Sequence, residues 1–104
     1  MDNFKIIYKI LRYLEKAMDY DEPDMDFISA KAMNISERKW SALMEMMVEE
    51  GYIDGVSVTR SLGGDVLISE NNPRITLRGL EYLNENSLMA KAAKLAKGVA
   101  DAIP

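Results

Sequence analysis

The chain has 104 residues, about the length of one domain and enough to bury a modest core. It holds no cysteine and no histidine, which excludes disulfides, thiolate nucleophiles and the commonest general base and metal ligand. The formal net charge of −4 weighs mildly against a nucleic-acid partner, but the charge is uneven, with basic ends and an acidic middle.

Residues 3–18 carry apolar side chains at helical spacing. Phe4, Ile7, Ile10, Leu11, Leu14, Ala17 and Met18 share one face; Lys5, Lys9, Arg12 and Lys16 share the opposite one. Charges every few positions make this segment neither a signal peptide nor a membrane span. Like charges four apart on a helix repel weakly, so the basic stripe is offset elsewhere or its field has a use. It can follow a phosphate backbone, meet an acidic partner or the acidic loop of a neighbouring chain, or simply be a solvated face.

The stretch DYDEPDMD, residues 19–26, ends the first helix, since Pro23 cannot continue it and acids suit the start of the next one. Asp24 or Asp26 is expected to cap a second helix over residues 25–33. The acids lack the glycine and terminal glutamate of a calcium loop, so no metal is assigned to them. Residues 30–36, AKAMNIS, have the composition of a tight turn between two helices. Ala30 permits close approach, Met33 points inward, Asn34 takes the left-handed conformation, Ile35 plugs the turn and Ser36 caps the next helix. Trp40, Leu43, Met44, Met47 and Val48 then share one face of a third helix, and Gly51 lies just past its end.

Val56 and Val58 alternate with Ser57 and Thr59, and Val66 and Ile68 alternate on a return strand after the turn residues Ser61, Leu62, Gly63 and Gly64. These make a two-stranded hairpin. Residues 70–73 read as a loop. Ile75 is extended, Thr76 caps a fourth helix, and Leu80, Tyr82 and Leu83 supply its contacts. Asn86 and Ser87 interrupt, and residues 88–101 form a further amphipathic helix, with Leu88, Ala92, Leu95, Ala96 and Val99 opposite Lys91, Lys94, Lys97 and Asp101.

The order helix, helix, turn, helix, hairpin, helix resembles a winged helix-turn-helix. The predicted class is α+β, mostly α: one domain over residues 1–104, with its core over about 3–85, a two-stranded wing and an added C-terminal helix. The segment PRITLRGLEYLNENSLMAKAAKLAKG, residues 73–98, is similar to the C-terminal signature of the YjcQ-like family of small prophage-associated proteins. The first helix and EEGYI, residues 49–53, also fit it. That resemblance implies a winged-helix fold and a phage or prophage setting. It implies no catalytic residues.

The third helix is the element such folds present to DNA, with its N-terminal part at the base edges. There Arg38, Lys39 and Ser41 are the candidate contacts, with Arg60 and Arg74 from the wing. Glu45 and Glu49, further along, oppose that reading. The basic face Lys5, Lys9, Arg12 and Lys16 is the alternative surface. The chain thus reads as a non-enzymatic, cofactor-free cytoplasmic module whose partner is duplex DNA, or else a protein partner bound by the same fold. Residues 88–101 are the candidate homodimer helix. A catalytic role would have to rest on carboxylates, lysines or hydroxyls alone, and no nucleotide-binding glycine motif is present.

Overall fold

The computed structural model describes residues 2–87. The helix expected over 88–101, and the homodimer built on it, lie outside the described residues. Helix α1 spans Asn3–Lys16, and the Asp2 carboxylate caps it by accepting from the Phe4 amide at 2.8 Å. Its buried face is Ile6, Ile10, Leu11 and Leu14, extended by Ala17 in the 3-10 turn Ala17–Asp19. This corrects the expected face. Ile6 is fully buried, whereas Phe4 and Met18 are exposed. At 100° per residue Phe4 sits about 120° around the helix from Ile10, at the margin of the surface that β2 and α3 cover. Met18 falls in the 3-10 turn, where the α-helical periodicity no longer applies.

The second helix is also shorter than expected. A 3-10 turn, Met25–Ile28, capped by Asp24, gives way at Ser29 to extended backbone with φ −74° and ψ 167°. The Ser29 hydroxyl accepts from the Ala32 amide at 3.1 Å and so starts helix α2, Ala30–Met33. Serine competes for backbone bonds in this way, favouring a cap over a helix interior.

The turn after α2 follows its sequence. Asn34 adopts φ 58°, ψ 46°. Ile35 N–H donates to the Ala30 carbonyl at 3.0 Å and Asn34 N–H to that of Lys31 at 3.1 Å, the paired bonds of a left-handed helix end. Helix α3, Glu37–Glu49, starts at Ser36 and stops the same way. Gly51 has φ 76°, with Tyr52 N–H on the Met47 carbonyl at 2.9 Å and Gly51 N–H on that of Val48 at 3.0 Å.

Strands β1, Ile53–Arg60, and β2, Val66–Ile75, form an antiparallel hairpin in which Ile53 faces Ile75, Val58 faces Ile68 and Arg60 faces Val66. Residues 70–73, expected as a loop, belong to β2. The register slips between Asp54 and Val56, so Gly55 lies against a bulge on the other strand. A Cβ on Gly55 would stand 2.6 Å from the Asn72 carbonyl oxygen and 2.7 Å from that of Asn71. Asn72 itself has φ 55°. The Asn-Asn-Pro signal therefore marks an irregularity inside a strand rather than its end.

Helix α4 covers 77–87 within the described residues. Thr76 caps it by accepting from the Gly79 amide at 3.1 Å, and its hydroxyl also donates to the Gly51 carbonyl. Gly79 must be glycine, because a Cβ there would lie 2.4 Å from the Tyr52 carbonyl oxygen. One hydroxyl and one missing methyl thus seat α4 on the end of α3. The expected break at Asn86 and Ser87 is absent. Both are helical, and the Asn86 amide nitrogen donates back to the Tyr82 carbonyl at 2.8 Å instead of capping a new helix.

Candidate nucleic-acid interface

The orientation of α3 is set from its buried side. Trp40 is buried, and its indole Nε1–H donates to the Ile28 carbonyl at 2.7 Å. Leu43, Met44 and Met47 continue that face into the core formed with Ile6, Ile10 and Leu14. With the inner face pinned, Arg38 points into solvent, its side chain 90% exposed, and Ser41, Ala42 and Glu45 lie half-buried beside the hairpin.

The hairpin reaches the same side. Its turn is closed by Ser61, whose hydroxyl accepts from the Asp65 amide at 3.1 Å and whose carbonyl accepts from Gly64 at 2.9 Å. Gly64, with φ 88°, makes that turn possible. A groove of about 470 Å³ separates the first turns of α3 from the wing tip. Arg38, Ser41 and Ala42 line one wall, and Gly63, Gly64 and Asp65 line the other. The glycine-rich turn signalled a hairpin in the sequence. That it would form the second wall of a groove was a tertiary fact with no local signature.

The candidate arginines fare differently. Arg38 faces Asp65 across the groove at 3.6 Å. Arg60 leans from β1 onto α3, where it meets the Glu45 carboxylate at 2.8 Å. Lys39 is half-buried on α3, and its amide supplies the Ser36 cap bond at 3.1 Å. Arg74 sits at the hairpin base opposite Asp54, away from the turn. Its guanidinium donates to the carbonyls of Ala17 at 2.6 Å, Tyr20 at 2.8 Å, and Asp21. That ties it to the backbone after α1. Arg78, not singled out by the sequence, donates through Nε to the Glu50 carbonyl at 3.0 Å and seals the end of α3. The structure thus gathers Arg38, Lys39, Ser41 and Arg60 around α3 and the wing and gives Arg74 a structural post. Lys5, Lys9, Arg12 and Lys16 are all exposed on α1, and none of them lines the α3–wing groove.

The YjcQ protein family model matches residues 8–102. The chain belongs to the YjcQ family. The match runs from the middle of α1 through α3, the hairpin and the Thr76–Gly79 cap, and so spans the residues that line the groove. No curated protein and no solved structure gives a significant match. No helix among the described residues is long and apolar enough to cross a membrane.

Proposed function

We propose that this member of the YjcQ family is a non-enzymatic, cytoplasmic winged-helix regulator, of phage or prophage setting, that binds duplex nucleic acid through the start of α3 and the wing. The observation that carries this reading is the shared groove. Arg38 and Ser41, on the turns of α3 that meet base edges in this fold, stand across from a wing tip made of Gly63 and Gly64. The Arg38–Asp65 pair is no obstacle. Both groups are largely exposed, and a surface pair is worth about 0–1 kcal/mol, less than a phosphate contact offers. Arg60, held on Glu45, flanks the same surface.

A fluorescently labelled duplex of mixed sequence tests this by anisotropy over a salt series. Affinity is expected to fall linearly on logarithmic axes as counterions are released. The double change Arg38→Glu and Lys39→Glu is expected to abolish binding. No binding at micromolar protein in low salt would end this reading. Binding untouched by the double change would move the contact to the α1 stripe.

A second reading, a protein partner on the same groove, is supported by the pairing of Arg38, Arg60 and Arg78 with Asp65, Glu45 and Glu50. One variant separates the two. Glu45→Gln with Asp65→Asn frees Arg38 and Arg60, so duplex affinity rises if nucleic acid is the ligand. If a protein is the ligand, duplex binding stays absent.

A further inference from the structure

A second surface lies on α1 and the segment that follows it. The outer face of α1 is basic along its length, through Lys5, Lys9, Arg12 and Lys16, all exposed. Five acidic residues occupy positions 19–26. This acidic segment folds back beside the last turns of α1. The Asp24 amide donates to the Tyr13 hydroxyl at 2.7 Å, and Phe27 stacks on Tyr13 with ring centroids 5.4 Å apart. The two charged zones are therefore neighbours, divided by an aromatic seam whose outer ring, Phe27, is 64% exposed. Arg12, Tyr13, Glu15 and Lys16 border a cleft of about 370 Å³ along it.

Although adjacent, the zones do not neutralise each other. Among the described residues no ion pair involves Lys5, Lys9, Lys16 or any acid of residues 19–26, and Arg12 pairs within its own helix, with Glu15. Nor do the acids gather around a metal position, since no three carboxylates among the described residues are placed to hold one. The segment is nevertheless fixed. Arg74 holds the Tyr20 and Asp21 carbonyls, Pro23 is buried, and Asp19, Asp21, Glu22 and Asp24 remain exposed.

We propose that this bipolar patch docks a second copy of the chain. A two-fold axis along the Tyr13–Phe27 seam lays the basic face of α1 in one copy over the acidic segment of the other, and the reverse. Self-complementarity under a two-fold is what an isologous interface requires. A partner of one charge sign would satisfy half of the patch and leave the other half facing like charge. Only a surface carrying both signs in this order matches it, and the chain itself is one. The axis also brings the two exposed Phe27 rings together at the centre, as the apolar core of a small interface. The proposal uses neither the α3–wing groove nor residues 88–101, so it stands or falls apart from the nucleic-acid reading.

Sedimentation equilibrium of the full chain tests it. At low salt and roughly millimolar protein the mass is expected to approach twice 11.7 kDa, and to return to 11.7 kDa as added salt screens the charges. Lys9→Glu with Lys16→Glu, and separately Asp21→Lys with Glu22→Lys, should each sediment as a monomer at low salt. An equimolar mixture of the two should recover the dimer. The single reversals Lys9→Glu and Asp21→Lys, mixed in the same way, stand in for any double variant that loses its native circular dichroism. A wild-type chain that stays monomeric, a dimer indifferent to either reversal, or a mixture of folded variants that stays monomeric would each overturn the proposal.

Discussion

Replacing Trp40 by Phe removes one buried donor and one ring from the point where α3 is pinned. The indole N–H reaches the carbonyl of Ile28, the last residue of the 3-10 turn before α2, at 2.7 Å, so this bond fixes both the inward face of α3 and the entry to the helix-turn-helix. Phenylalanine has no donor there. Leaving a buried acceptor unpaired costs about 1–3 kcal/mol. The void left by the smaller ring adds about 1 kcal/mol, at ~24 cal/mol per Å³. The sum, roughly 2–4 kcal/mol, is a large part of the ~5–15 kcal/mol that holds a small domain together. It corresponds to a melting-temperature drop on the order of 10–30 °C. Urea titration followed by far-ultraviolet circular dichroism measures it, because Trp40 is the chain's one tryptophan and its fluorescence vanishes in the variant. A loss under about 1 kcal/mol would instead mean that the carbonyl finds water and the indole is not buried.

Other substitutions test the seating of α4 and the clamp after α1. Gly79→Ala places a methyl 2.4 Å from the Tyr52 carbonyl oxygen and should destabilise by about 1–3 kcal/mol, whereas Gly63→Ala, with its nearest contact at 3.8 Å, should be near neutral in the same urea assay. Arg74→Ala removes the donors to the Ala17, Tyr20 and Asp21 carbonyls. It should cost about 1–3 kcal/mol and speed amide exchange across residues 17–24, with no change in the salt dependence of duplex binding. Burial, with Tyr52 and then Asp2 nearby, raises the Tyr82 hydroxyl above the ordinary tyrosine value of 10.0. The folded state then holds that proton more tightly than the unfolded one. Its contribution is fully present below the unfolded value and is lost as pH rises through the folded one. Stability of the native chain should therefore fall more steeply with alkaline pH than that of Tyr82→Phe, and equal slopes would contradict the shift.

Features that depend on a few neighbouring residues were readable in the sequence. Asn34 at a left-handed position, Ser36 and Thr76 as caps, Gly51 past a helix end and Trp40 on an inward face all follow from local backbone chemistry. What escaped depended on partners far along the chain or on local competition. Ser29 could continue a helix or cap one, and composition does not decide between them. The buried side of α1 depends on where β2 and α3 lie, so Phe4, expected inside, is exposed, while Ile6, which the helical spacing did not single out, is buried. Arg74 reads as a wing cation until its carbonyl partners, more than fifty residues earlier, are in place. Within the candidate site, Arg38, Ser41 and Arg60 were visible as residue types at suitable positions. The carboxylates that meet the two arginines, Asp65 for Arg38 and Glu45 for Arg60, are contacts only the folded hairpin creates.

An amide chemical-shift map of the full chain titrated with a mixed-sequence duplex would locate the contact residue by residue. Binding through the α3–wing groove should move the amides of Glu37, Arg38, Ser41, Ala42 and residues 63–66, which line it, together and to saturation. No movement at any amide, or movement confined to residues 5–16 of α1, would contradict it.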